Sequence, residues 1–216
     1  YAEAYYNMGI ALKGVVFTKP SSGLQEVISS IIDRKNNVRP IDISRTAISL
    51  LKFEPVMKQL FEKHFAGEVK QSLERLISNL SGVPLLFKLM SVCPLPDLEL
   101  EAIFTDIRSA LLASITEIEN SPEVLRFQSA LALQCFTNEY VYNQNDKETT
   151  ALAALEAEVG EALLKGEQPR SQSILCLATY KALHQYKWCD LLALTSSIEE
   201  VVTRQIFEPK QESLLK

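Results

Sequence analysis

The chain has 216 residues, a formal net charge of −5 and only 7 glycines. Its length is enough to bury a substantial core, and the scarcity of strand-like alternating runs predicts an all-α fold. The negative charge argues against nucleic acid as a partner, and no stretch approaches the roughly 18 unbroken apolar residues of a membrane span.

Cysteine usage and the N-terminus bear on the compartment. The four cysteines, at positions 93, 135, 176 and 189, lie in apolar surroundings without paired spacing. Such cysteines are typical of reduced core thiols, so we expect a cytoplasmic protein. The N-terminus has no signal-peptide pattern and begins inside a helical motif, which leads us to expect a longer parent protein.

The first predicted helix spans residues 2–13. It resembles the first helix of a tetratricopeptide repeat, and the resemblance is carried by Ala4, Tyr5, Met8, Gly9 and Leu12. No second repeat helix follows, because Gly, Pro and Ser interrupt residues 14–22. Since a single repeat cannot bury its own face, residues 1–16 are interpreted as the C-terminal remnant of a repeat array. An ordinary amphipathic helix is the alternative.

Four residues of this helix fall where a repeat helix faces its concave groove. We predict that they form a contact surface for a protein or peptide partner: Glu3, Tyr6, Ile10 and Lys13. The same exposed end of the array could instead pair with a second copy of the chain, which would make a homodimer.

Helical periodicity continues far beyond this segment, and residues 17–207 are predicted to form one helical intermediate domain. The flanking helices are predicted at residues 24–34, 42–53, 54–64, 69–80, 85–92, 98–118, 148–165, 171–180, 184–194 and 196–207. Residues 208–216 are predicted to be a linker or tail.

The stretch at residues 121–142 is predicted to be the central helix. Ser121 can cap it, and Pro122 and Glu123 are typical of a first helical turn. Its later apolar residues lie on two faces, and such a helix has neighbours on more than one side. We therefore predict an irregular multi-helix bundle of about ten helices around a central buried helix.

Asn138 and Glu139 are polar residues in the middle of this apolar stretch. A buried carboxylate needs a partner, and Arg108, Lys88 and His184 are candidates for Glu139. We predict a structural polar cluster of Asn138, Glu139 and His184, with a catalytic role as the alternative.

The sequence offers few residues for catalysis or cofactor binding. The glycines are scattered rather than grouped in a phosphate-cradling loop, and His64 and His184 are the only histidines. We therefore assign no catalytic, cofactor-binding or metal-ligating residue in this chain.

Six stretches in order carry a wider resemblance: ALKGVVFTKP (11–20), NVRPIDISRTAISLLKFEP (37–55), VCPLPDLELEAIF (92–104), LALQCFTNEYVY (131–142), LCLATYKALHQYKW (175–188) and VVTRQIFEPKQE (201–212). Together they resemble the helical region of bacterial proteins that have N-terminal tetratricopeptide repeats and a C-terminal S-adenosylmethionine-dependent methyltransferase domain. The resemblance implies that the cofactor binds a Rossmann-like domain located after residues 207–209. It also implies that this chain is a non-catalytic connector to that domain in cis.

Three classes of function remain open from the sequence. The first is such a connector, acting in substrate recruitment, regulation or oligomerisation. The second is a stand-alone repeat-like interaction module with no enzymatic activity. The third reading is a self-contained enzyme that uses the neighbourhood of Glu139 and His184.

Overall fold

A computed structural model of the chain describes residues 2–34, 38–66 and 72–192. Within these ranges it contains eleven α-helices, one short 3-10 helix and no strand. The all-α fold predicted from the sequence is therefore confirmed. The helix predicted at 196–207 and the tail at 208–216 lie outside the described residues.

The α-helices, numbered in chain order, are α1 (Ala2–Leu12), α2 (Ser22–Asp33), α3 (Pro40–Leu51), α4 (Pro55–Ala66), α5 (Leu73–Ser81), α6 (Pro84–Met90), α7 (Leu98–Ala113), α8 (Pro122–Thr137), α9 (Asp146–Leu164), α10 (Ser171–Ala178) and α11 (Cys189–Leu192). The 3-10 helix is Leu183–Gln185. Proline is the first residue of four helices, where its fixed φ suits the helix and its missing N–H costs no hydrogen bond.

Helix α9 has well-defined signals at both ends. Asn145 and Glu148 form a capping box, in which each side chain accepts a hydrogen bond from the other residue's backbone N–H. At the other end Gly166 has a φ of 73°, and the amide of Glu167 donates to the carbonyl of Ala162 at 2.9 Å. This is the Schellman arrangement, in which a glycine suits the left-handed position after the helix.

The chain divides into two compact units, Tyr1–Ile103 and Phe104–Lys216, with the division inside α7. We call them unit 1 and unit 2. The sequence analysis did not predict this division. The boundaries predicted there, at residues 16 and 207, stay predictions.

In unit 1, helices α2, α3 and α6 pack against one another, and α1 packs on α3. The buried side of α1 consists of Gly9 and Leu12. A side chain on Gly9 would collide with Val38, so glycine is needed for the helix to approach this neighbour. The hydroxyl of Thr46 donates to the carbonyl of Leu12 at 2.6 Å, which ties the end of α1 to α3.

In unit 2, helix α10 packs against both α8 and α9. Residues 127–132 of α8 are all buried, and six consecutive residues cover the full circumference of a helix. The middle of α8 is therefore buried, as predicted, but within unit 2; that one bundle of about ten helices surrounds it stays a prediction. Residues 172–178 of α10 are buried in the same way.

Aromatic packing completes the core of unit 2 beside α9. Tyr186 and Trp188 are stacked with ring centroids 4.8 Å apart, within an apolar cluster that includes Val159 and Leu177. Gly160 provides room for this pair, because a Cβ there would lie 3.2 Å from the Trp188 ring. None of the helices in the described ranges is both long enough and apolar enough to cross a bilayer.

Candidate functional site

The structure does not form the predicted polar cluster of Asn138, Glu139 and His184. Helix α8 ends at Thr137, with Asn138 as its C-cap, and Glu139 is exposed. The prediction that Glu139 is a buried carboxylate in the middle of the helix is therefore wrong. His184 is also exposed, in the 3-10 helix. In the described part of the chain, no hydrogen bond or ion pair joins Asn138, Glu139 and His184.

A left-handed turn explains why α8 stops early. Glu139 and Tyr140 have φ values of 54° and 58°, which are unusual for residues with a side chain. The amide of Tyr140 donates to the carbonyl of Cys135 at 2.8 Å, and the amide of Glu139 donates to that of Phe136 at 3.1 Å. Glu139 thus occupies the Schellman position that usually holds glycine.

The turn delivers the following residues to Arg108, a side chain of α7 that is only 2% exposed. The Nη2 of Arg108 donates to the carbonyl of Asn143 at 2.6 Å. The guanidinium carbon lies 4.1 Å from the ring centroid of Tyr180 and 5.2 Å from that of Tyr142. Because a cation is attracted to the face of an aromatic ring, both tyrosines help to stabilise the buried charge.

The same network continues to the start of α9. The hydroxyl of Tyr180 donates to Oε1 of Glu148 at 2.7 Å, and Oε2 of Glu148 accepts from the amide of Asn145 at 2.9 Å. Glu148 is buried, so both of its oxygens are satisfied where water cannot reach them easily. We call Arg108, Tyr142, Asn143, Glu148 and Tyr180 the Arg108 network.

Two buried thiols lie within electrostatic range of Arg108. Burial raises the pKa of Cys135 to about 12, although the positive charge of Arg108 acts in the opposite direction. The pKa of Cys176 is raised to about 12 by the same cause and with the same opposing charge. Both cysteines are free thiols, and at neutral pH they keep their protons.

The tyrosines around the thiols are shifted in the same direction. Burial raises the pKa of Tyr140 to about 12, and the neighbouring Cys135 adds to the shift. Burial, followed by the hydrogen bond to Glu148, raises the pKa of Tyr180 above its ordinary value. These phenols are therefore hydrogen-bond donors and ring surfaces at neutral pH, and they are not general bases.

A second charged site lies in unit 1. The ammonium of Lys52 is 2.7 Å from a carboxylate oxygen of Asp97 and 2.5 Å from one of Glu99. Burial lowers the pKa of Lys52, but the two carboxylates outweigh it, so the pKa is raised overall. Asp97 also accepts a hydrogen bond from the amide of Leu100, which caps the start of α7. The site binds α7 to the end of α3.

The four predicted contact residues of α1 are all exposed: Glu3, Tyr6, Ile10 and Lys13. Their spacing places them along one side of the helix. Ile10 is 55% exposed and Tyr6 is 41% exposed, so the side includes apolar surface. Lys13 also forms an ion pair with Asp42, at 3.3 Å.

The sequence analysis named Arg108 only as one candidate partner of Glu139. A signal was present, because Arg108 falls on the apolar side of α7, in line with Phe104, Ile107 and Leu111. An arginine inside such a stripe predicts a buried charge with partners. Its partners lie far along the chain, which is why the sequence could not identify them.

Over the residues that the structure describes, no group of three or more His, Cys, Asp or Glu side chains is placed to hold a metal ion. Comparison with known protein families, curated proteins and solved structures found no match for this chain.

Proposed function

We propose that this chain is a non-catalytic helical region of a tetratricopeptide-repeat-containing, S-adenosylmethionine-dependent methyltransferase. It would link the repeats to the catalytic domain and act in substrate recruitment, regulation or oligomerisation. The proposal rests on the resemblance of the six stretches, and the all-α fold is compatible with it. The parent protein would be cytoplasmic and bacterial, and the cofactor would bind outside this chain.

The single observation that best supports a connecting role is the Arg108 network. It joins α7 through Arg108, the turn after α8 through Asn143, the start of α9 through Glu148 and the end of α10 through Tyr180. The interior polar groups thus hold four helical elements in one arrangement. A unit 2 held together in this way would give a catalytic domain that follows it a defined point of attachment.

The state of the buried nucleophiles supports the same conclusion. The thiols of Cys93, Cys135 and Cys176 all have a pKa raised to about 12 by burial. A thiol needs a lowered pKa and solvent access to act as a nucleophile at neutral pH. The raised pKa values keep these thiols neutral, as suits side chains in an apolar core.

The exposed side of α1 supports the recruitment part of the proposal. Tyr6 and Ile10 offer apolar contact area, and Glu3 and Lys13 flank them with opposite charges. Such a surface can bind an extended or helical peptide. A second copy of this chain is the alternative occupant. Only that alternative makes the chain itself a dimer.

Titration of S-adenosylmethionine into the chain tests the first part of the proposal. We expect no heat of binding, whereas the longer product of the same gene should bind the cofactor. Stoichiometric binding by this chain alone would overturn the proposal. Sequencing the gene beyond Lys216 is a second test, since the proposal requires a strand, a glycine-rich turn and a helix there.

The stand-alone interaction module is the second candidate function, and the exposure of α1 favours it. Apart from Gly9, Leu12 and the partly buried Tyr5, every residue at positions 3–13 is exposed. A gene with no methyltransferase domain beyond Lys216 would favour this candidate.

A further inference from the structure

The turn after α8 combines unfavourable backbone with exposed apolar side chains. We call residues 138–143 the strap. Glu139 and Tyr140 are consecutive and both left-handed, a conformation in which Cβ lies too close to the backbone. Phe136 and Val141, at the end of α8 and in the strap, are 56% and 66% exposed. The Phe136 ring meets the edge of the Tyr140 ring, with centroids 6.4 Å apart, so the outer side of the strap is packed at this ring pair and open to solvent at Val141.

The inner side of the strap is held mainly by hydrogen bonds. The amide of Tyr140 is bound to Cys135, the amide of Val141 is bound to Asn138 at 3.1 Å, and the carbonyl of Asn143 is bound to Arg108. The Tyr142 ring lies over the guanidinium. Arg108 thus reaches the strap from a different helix.

The closed arrangement also leaves Arg108 incompletely satisfied. Its Nε is buried and has no hydrogen-bond partner, and none of the ion pairs among the described residues involves its guanidinium. A buried cation without a carboxylate is costly, because it has lost its hydration. Opening the strap would restore water to the guanidinium and would relax the two left-handed residues in one motion.

We propose that the strap is a conformational switch: it opens while the helices of unit 2 stay folded, and Arg108 is the latch that closes it. Residues held in rare backbone conformations are concentrated in switch segments, and local opening occurs where apolar contacts are few. Opening breaks the hydrogen bond from the Tyr140 amide to the Cys135 carbonyl and moves Tyr140, whose phenol lies within electrostatic range of the Cys135 thiol, so we expect that thiol to become accessible. Opening releases Asn143 from Arg108, so the single arrangement of helical elements argued for the proposed function is that of the closed strap.

Thiol labelling with iodoacetamide, read by mass spectrometry at each cysteine, tests the proposal on the intact chain. Cys176 is the matched control, because it is equally buried, has a similar pKa and lies in α10. Each rate is divided by the rate for the same cysteine in high urea. At low urea we expect Cys135 to be labelled roughly tenfold faster than Cys176, with little dependence on urea. Equal normalised rates with equal urea dependence would overturn the proposal.

Two variants locate the switch at the strap and its latch. Glu139→Gly removes the left-handed strain of the closed state and should slow the labelling of Cys135 several-fold. Arg108→Lys loses the planar donor geometry and should accelerate it. In both variants the labelling of Cys176 should still follow global unfolding as urea is increased. If Arg108→Lys does not fold, Glu139→Gly alone decides, since an unchanged ratio of Cys135 to Cys176 would contradict the switch.

Discussion

The guanidinium carbon of the buried Arg108 lies over the ring of Tyr180, 4.1 Å from its centroid. The same phenol donates a hydrogen bond to Glu148. One tyrosine therefore lies between a buried cation and a buried carboxylate, and it contacts both. This arrangement separates the two charges while each is stabilised by the side chain between them.

Removing the Tyr180 hydroxyl should measure how much this bridge contributes. Tyr180→Phe keeps the ring over Arg108 but leaves an oxygen of the buried Glu148 without its donor. We expect the free energy of unfolding to fall by about 1–3 kcal/mol, the cost of an unsatisfied buried polar group. Urea denaturation followed by circular dichroism measures it. Tyr6→Phe, at an exposed position, is the control and should change nothing. A Tyr180→Phe protein as stable as the wild type would contradict the bridge.

The two Schellman turns of unit 2 predict opposite changes in the free energy of unfolding when glycine is introduced in one turn and removed from the other. Glu139 holds the left-handed position after α8, and Gly166 holds it after α9. Glu139→Gly should raise the free energy of unfolding by about 0.5–1 kcal/mol, and Gly166→Ala should lower it by about 1 kcal/mol. Thermal unfolding of the two variants decides between these signs. Destabilisation by Glu139→Gly would mean that the glutamate side chain has a stabilising role that its exposure does not suggest.

The buried thiols predict a loss of stability at alkaline pH. In the folded chain, Cys93, Cys135 and Cys176 keep their protons up to about pH 12, whereas an ordinary thiol loses its proton near 9.0. Between these values the unfolded chain binds fewer protons, so the free energy of unfolding falls as pH rises. Below the lower value the contribution is fully present.

The expected slope is on the order of 1 kcal/mol per pH unit for each thiol. Urea denaturation at several pH values above 9 measures it. Cys135→Ala is the informative variant, because removing one of the three thiols should make the slope shallower, whatever its effect on stability at neutral pH. An identical slope in this variant would show that the thiol does not titrate as inferred.

Placing a charge at the apolar centre of the exposed side of α1 tests whether this surface binds a partner. Ile10→Glu should reduce binding of the chain to an immobilised random-peptide library by about tenfold, because a carboxylate then enters the apolar contact. Val16→Glu is the matched control, since Val16 is exposed but lies beyond the end of α1. Equal binding by the two variants would exclude this surface. Sedimentation of the wild type as a dimer that Ile10→Glu dissociates would assign the surface to a second copy.

Local signals predicted the helix starts better than the ends. The start of α8 follows from Ser121 and Pro122, and Ser121 does cap the helix through the amide of Val124. The end of α9 follows from Gly166. No glycine marks the end of α8 in the sequence, because Glu139 holds the left-handed position that glycine usually occupies. The residues that follow the turn are bound from far along the chain, because Arg108 donates to the carbonyl of Asn143, 35 residues away.

The polar interior was harder to predict than the fold. Sequence reasoning chose Glu139 as the buried carboxylate, whereas the structure buries Glu148 in that role. Glu148 belongs to the capping box of a strongly charged helix start, where a carboxylate is usually exposed. Only the approach of Tyr180 from the end of α10 makes it part of the core. Such pairings depend on tertiary packing and have no local signature.

We propose that this chain connects and orients other parts of a methyltransferase and does not itself transfer methyl groups. Incubation with radiolabelled S-adenosylmethionine and total bacterial protein, followed by counting of precipitated label, tests it most directly. We predict no label above a protein-free background for this chain alone, and clear incorporation for the longer gene product. Incorporation catalysed by this chain alone, and lost in heat-denatured samples, would contradict the account.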